Sequence, residues 1–214
     1  METLINEEIE SYCEAHTTSE SDLLYRLNRE TNIKVLRPRM LSGQLQGRWL
    51  AMISKMIKPL NILEIGTYTG YSALCLAEGL QENGTLHTIE IEEELEDIIT
   101  KYFNLSPYKD KLHLHIGNAL EVIPALNKIW DLVLLDADKR EYLKYYEMVL
   151  PHVRKGGIIL ADNVLWSGKV TEEIPQNDTD TQAIMEFNDF IQKDVRVENI
   201  LLPLRDGILL IEKL

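Results

Sequence analysis

The chain has 214 residues, 45% hydrophobic and 27% charged, with a formal net charge of −13 at pH 7. That size suits one α/β domain with a sizeable core, and an acidic balance with no concentrated run of Lys and Arg argues against a nucleic-acid partner, which needs a basic surface. Cys13 and Cys75 are too few and too far apart for a disulfide framework or a zinc site, and neither a leader-like segment nor an apolar run of membrane-spanning length is visible, so the reading is a cytoplasmic protein that does not contact membrane.

Residues 1 to about 58 read as a helical cap on the periodicity criterion. Leu4, Ile5, Ile9 and Tyr12 make one amphipathic face, and Leu23, Leu24 and Leu27 a second. Leu45, Trp49, Met52, Ile53 and Met56 make a third, closed by Lys58-Pro59. Arg37-Pro38-Arg39-Met40 between the last two reads as an extended connector. From 59 to 214 the pattern changes to alternating strands and helices, with both parts forming one domain. Strands are expected at 61–65, 85–91, 111–117, 131–136 and 156–162, each separated from the next by a helical stretch. Leu132-Val133-Leu134-Leu135 and Ile158-Ile159-Leu160 are nearly continuous apolar runs, as parallel strands covered on both faces require. A helix at 178–193 leads to Val195–Leu204, then Arg205-Asp206-Gly207, then Ile208–Ile211. Asp-Gly between two apolar runs signals a hairpin, so the last two strands are expected to be antiparallel.

The most informative stretch runs from Leu63 to Ser72. It reads as a buried strand entering a glycine turn and then a helix. Gly66 and Gly70 let the backbone bend sharply and approach a ligand, and the helix presents free N–H groups at the same turn. The spacing G-x-x-x-G is not the G-x-G-x-x-G of dinucleotide folds. Glu64 would repel a pyrophosphate but suits a ligand bearing an ammonium or sulfonium, which points to S-adenosylmethionine. The bland alternative is that strand–glycine–helix turns occur in any α/β protein.

Ligands of open parallel sheets bind beyond the carboxyl ends of the strands. Glu90 ends the second strand about twenty residues after Gly70, where an acid accepts hydrogen bonds from ribose hydroxyls; otherwise it begins the acidic run Glu92-Glu93-Glu94, which suits a helix N-terminus. Asp136 and Asp162-Asn163 end two further strands. Three hard oxygen ligands without sulfur or histidine suit Mg²⁺ or Ca²⁺ rather than zinc; as an alternative, Asp162-Asn163 caps a turn. Lys139, three residues after Asp136, is placed to take a proton from a hydroxyl, or else belongs to a polar surface run. His113 and His115 share one strand face, but no third ligand is evident, so they read as structural.

Glu64-Ile65-Gly66-Thr67-Tyr68-Thr69-Gly70-Tyr71-Ser72, Asp136-Ala137-Asp138-Lys139 and Ala161-Asp162-Asn163 occur together in this order. The chain thereby resembles the cation-dependent O-methyltransferases, the family of caffeoyl-CoA and catechol O-methyltransferases, from about Arg37 to the C-terminus. Trp166, in Asn163-Val164-Leu165-Trp166-Ser167-Gly168, is more like the caffeoyl-CoA branch and its small bacterial relatives. The resemblance implies a Rossmann-like methyltransferase fold, a mostly parallel seven-stranded sheet ending in an antiparallel hairpin. It also implies roles at matching positions. Met40 and Ser42 would lie over S-adenosylmethionine, and Glu64, Gly66, Tyr68 and Ser72 would hold its methionine part. Asp138 would lie near the amine, with Asp136 also on the cofactor side. Glu90 would take the ribose hydroxyls and the Ala119 N–H the adenine. Asp136, Asp162 and Asn163 would bind Mg²⁺ (or Ca²⁺ or Mn²⁺). Lys139 would be the base and touch the acceptor, which Trp166 would line.

The expected reaction is methyl transfer to one hydroxyl of a catechol-like or hydroxycinnamoyl small molecule, an aromatic diol, by a homodimer. Three alternatives stay open at this point: the same donor with another acceptor, a nicotinamide-dependent oxidoreductase, and a non-catalytic cofactor-binding protein.

Overall fold

The computed structural model describes residues 6–214, so the expected contributions of Leu4 and Ile5 lie outside the described residues. Three helices come first: α1 (Glu7–Ala15), α2 (Asp22–Lys34) and α3 (Gly43–Ile57). Side chains of Asn6 and Ser21 cap the first two, accepting from otherwise free N–H groups. Then strands and helices alternate: β1 (Asn61–Ile65), α4 (Tyr71–Ala77), β2 (Thr85–Glu90), α5 (Glu96–Leu105), β3 (Leu112–Ile116), α6 (Ala119–Leu126) and β4 (Trp130–Leu135). The chain continues through α7 (Tyr142–Val149), β5 (Val153–Asp162), α8 (Thr179–Lys193), β6 (Val197–Leu202) and β7 (Ile208–Lys213). No described helix is long and apolar enough to cross a membrane.

The seven strands form one sheet in the order β3-β2-β1-β4-β5-β7-β6. β1 to β5 pair in parallel, and β7 runs antiparallel to both β5 and β6. The expected Rossmann-like sheet with its antiparallel end is therefore present. Side chains alternate across it with period two. Ile62, Leu86, Leu132, Leu134 and Leu160 face a core shared with α2 to α5. Leu63, Ile65, Ile89, Val133, Leu135 and Ile159 face the other, shared with α6 to α8. Helices on both faces bury the sheet twice, which is why the central strands read as unbroken apolar runs.

Three local expectations are corrected. Arg37-Pro38-Arg39-Met40 is not extended: Pro38–Met40 is a 3-10 turn entered from a left-handed Arg37, φ 58°. A proline at the first position of such a turn is pre-set for it. The first helical face is not buried, since Ile9 and Tyr12 are exposed. The third expected face is also displaced. α3 buries Gln46, Gly47, Leu50, Ala51 and Ser54, while Met52 and Met56 are 60% and 68% exposed. The reason is the close approach of α3 to α4. A Cβ on Gly47 would lie 2.6 Å from Tyr71 Cε1 and 2.9 Å from Cys75 Sγ. The Ser54 hydroxyl donates to the Leu76 carbonyl at 2.6 Å, so its polarity is satisfied inside the contact.

This contact yields a stability prediction. Gly47→Ala gains about 1 kcal/mol of helix propensity, but overpacking a buried contact costs about 1–3 kcal/mol. The Tyr71 ring has little room to yield because its hydroxyl donates to Glu20 at 2.6 Å. Urea unfolding should show Gly47→Ala less stable than the wild type.

Candidate active site

The strand order reverses between β1 and β4, and a cleft of about 1700 Å³ opens beyond the carboxyl ends of the strands there. Gly66 leaves β1 with φ 97°, and a Cβ on it would come within 2.0 Å of the Asp136 carbonyl oxygen. Any side chain would push the two central strand ends apart. Gly70 starts α4 in the left-handed region, where only glycine is free of strain.

Of the expected site residues, Met40, Gly66, Tyr68, Glu90, Ala119, Asp136, Asp138, Lys139, Asp162, Asn163 and Trp166 line this cleft. Ser42, Glu64 and Ser72 are buried and are not among its lining residues.

Each acid at the cleft is held differently. Glu90 accepts from the Tyr68 N–H at 2.6 Å and from the Ile91 and Glu92 N–H groups at 2.9 and 3.0 Å. Burial pushes its carboxyl up, and those backbone donors oppose the rise. Asp138 caps the next turn and pairs with Arg140, whose guanidinium holds the carboxyl below its usual range. Asp136 accepts from Lys139 Nζ at 3.1 Å. Asp162 is pushed above the usual carboxylate range, first by burial and then by the negative charge of Asp136. Its Oδ1 accepts from the Asn163 N–H at 2.8 Å, and its Oδ2 from Gln46 Nε2 at 2.6 Å.

Glu64 departs most from its expected state. It is fully buried on the α4 face of β1, where Oε2 accepts from the Thr88 hydroxyl and Oε1 has no partner. Burial, with smaller contributions from Asp136 and Glu90, pushes its carboxyl up to about 8. That rise favours the protonated acid at neutral pH, and the side chain lies beneath the turn, outside the cleft lining.

Lys139 is itself buried, between Asp136 and Tyr142. Its Nζ donates to the Tyr142 hydroxyl at 2.6 Å. That phenol is wholly buried and raised well above its usual range, so it keeps its proton. Its one proton is directed at the Leu135 or the Asp162 carbonyl, 2.9 and 3.0 Å away, which leaves an oxygen lone pair for Lys139. The cleft thus sets two carboxylates, an amide and a buried amine side by side, a set suited to binding a hard cation and accepting a proton beside it. Among the described residues no group of three His, Cys, Asp or Glu side chains is placed to hold a metal ion, and Asn163 lines the cleft with the two carboxyls. His113 and His115 stand elsewhere, on β3, stacked against His87 with ring centroids 4.6 and 5.2 Å apart.

Four residues of the site carry no distinct sequence signal. Gln46 looks like a helix-surface amide, Tyr142 like a core aromatic, and Arg205 and Asp206 like hairpin-turn residues. Yet Asp206 holds the loop after β5: its carboxylate accepts from the Ser167 N–H and its carbonyl from the Leu165 N–H. That loop carries Asn163, Trp166 and Ser167 with φ of 59°, 47° and 58°.

Residues 14–214 match the profile of the O-methyltransferase family. A relative in Dictyostelium discoideum, described as a probable caffeoyl-CoA O-methyltransferase, is 31% identical over 214 residues, covering 98% of this chain and 93% of that protein. The SAH-bound methyltransferase PaMTH1 of Podospora anserina superposes with a TM-score of 0.89 at 28% identity, covering 98% of this chain and 97% of that one. An O-methyltransferase of Bacillus cereus, also solved with SAH, gives 0.88 at 28% identity, covering 96% and 97%.

The buried acid under the turn gives a pH prediction. Its folded value of about 8 lies above the ordinary 4.5. The unfolded chain therefore loses this proton first, and stability falls as pH rises across that window, levelling off above it. Glu64→Gln cannot titrate. Between pH 5 and pH 8, urea unfolding should show the wild type losing at least ~1 kcal/mol more than the variant, one pKa unit being worth about 1.4 kcal/mol. Equal losses would mean that water reaches the Glu64 carboxyl.

Proposed function

The chain belongs to the O-methyltransferase family, and from that premise we propose that this S-adenosylmethionine-dependent enzyme methylates one hydroxyl of a catechol-like or hydroxycinnamoyl small molecule with the help of a divalent cation. The observation that carries the reading is the pairing of Asp136 with Asp162-Asn163 on neighbouring strand ends, with Lys139 buried against the first. Asp136 raises the cost of ionising the buried Asp162, a burden that a bound cation would lift, and an all-oxygen set fits Mg²⁺ or a similar hard ion.

The glycine cradle at Gly66, the Tyr68 backbone and the Glu90 carboxyl support the donor's place on the other side of the cleft. In this reading Glu90 takes the ribose hydroxyls and the Ala119 N–H the adenine, while Met40 and Ser42 cover the donor. Glu64 and Ser72 support the methionine end from beneath the turn. S-adenosylmethionine supplies the methyl group, and a divalent ion supplies the Lewis acidity that makes an acceptor hydroxyl easier to deprotonate. Asp136, Asp162 and Asn163 hold that ion. With a cation held at Asp136, Lys139 would stand as the free amine, whose lone pair would receive the hydroxyl proton, and Tyr142 fixes where that nitrogen stands. Trp166 lines the acceptor's aromatic face. Positioning carries more of the work than charge stabilisation, because opposite charges annihilate in the transfer.

We also infer a homodimer that covers the exposed apolar side chains of α1 and α3, Ile9, Tyr12, Met52 and Met56.

Three measurements test this reading. Asp162→Ala should abolish turnover of catechol and hydroxycinnamoyl acceptors while calorimetry still detects SAH binding. Lys139→Met should lower kcat by about 10²–10⁴-fold. Full activity in excess chelator would overturn the metal reading. For the assembly, light scattering should report a dimer that Met52→Glu/Met56→Glu converts to a monomer.

A further inference from the structure

Gln46 is an amide on a helix far from the cleft in sequence, yet it is 2% exposed. A buried amide must satisfy both of its ends or lose stability. Gln46 Nε2 donates to Asp162 Oδ2 at 2.6 Å, across 116 residues of chain. Its Oε1 accepts from Arg205 Nη1 at 2.9 Å. The orientation has no alternative: a guanidinium only donates, so the amide oxygen must face it, and the amide nitrogen is left for a carboxylate that only accepts.

Arg205 is held for this task from its other side. The second N–H of the same nitrogen donates to the Ser42 carbonyl, with the Leu41 carbonyl 3.3 Å away, and both residues precede α3. Its backbone stands at φ 50°, a conformation that disfavours any side chain and persists only where its surroundings impose it.

We propose that Gln46 is a positioning residue for the metal-binding carboxylate Asp162, and that Arg205 acts through it by fixing the direction of its amide. The inference rests on the metal reading above. With Oδ2 tied to Gln46 and Oδ1 to the Asn163 N–H, the carboxylate plane has one orientation. Free of Gln46, Asp162 would turn about its side-chain bonds, and the donor set would have to be ordered at each binding event. Partners that orient a ligand in this way are worth roughly 10–100-fold in metal affinity.

The test is a Mn²⁺ titration followed by electron paramagnetic resonance, on the full chain saturated with SAH. Gln46→Met keeps the length of the side chain but neither hydrogen bond. It should weaken Mn²⁺ binding about tenfold or more and leave SAH affinity within about twofold of the wild type, which also shows that the variant is folded. Arg205→Met should weaken Mn²⁺ binding as well, but should cost nothing further when added to Gln46→Met, since a residue that acts through another is silent once the other is gone. Unchanged Mn²⁺ affinity in Gln46→Met would overturn the inference, as would additive losses in the double variant. A wild type that binds no Mn²⁺ would overturn the metal reading itself, and this inference with it.

Discussion

Four carboxyl groups gather at the ends of four neighbouring strands, and the cost of carrying negative charge there is the constraint around which the rest is built. Glu90, Glu64, Asp136 and Asp162 end or nearly end β2, β1, β4 and β5, which are adjacent in that order. Asp136 raises the cost of ionising both Glu64 and Asp162. The fold relieves each acid by a different route. Glu90 collects backbone N–H groups, Asp136 has a buried lysine, Asp162 has Gln46, and Glu64 keeps its proton.

The scaffold makes such crowding tolerable by being rigid just where the acids meet. Gly66 lets β1 and β4 run together to their last residue, and Tyr142 fills the space behind Asp162 and Lys139 with a hydroxyl that reaches three of their neighbouring polar groups. Both strand faces are covered by helices, so the strand ends cannot splay without opening two cores.

Much of this was legible in the sequence, and the part that was not has a physical reason. Strand positions came from apolar runs, which a doubly covered sheet imposes directly on its residues. The cleft residues came from the rule that ligands bind at strand ends, so Glu90, Asp136, Asp162 and Asn163 could be placed without coordinates. Periodicity served less well on α3. Its buried side is small and polar because it meets another helix at close range, whereas its larger apolar side chains remain outside. The state of Glu64 was hidden for a different reason: a glutamate's charge is set by its surroundings, not by its place in a motif. Gln46, Arg205 and Asp206 were hidden by distance, since each acts on a partner at least 39 residues away.

The direction of the last strand explains why those distant residues meet. β6 runs the same way as β1 to β5, so its carboxyl end arrives at the cleft side of the sheet, and β7 turns straight back from there. A crossover to another parallel strand would have carried the chain to the opposite edge. The tight return instead leaves residues 203–207 beside the strand ends, where Arg205 reaches the connector before α3 and Asp206 reaches the loop after β5. Gly207 packs so closely on Leu165 that a Cβ would lie 2.5 Å from it, and its carbonyl accepts from the Val164 N–H at 3.2 Å. The hairpin therefore brings Arg205 and Asp206 to the cleft wall. The cost is that the geometry of Asp162, Asn163 and Trp166 depends on a hairpin that the strand-end rule does not point to.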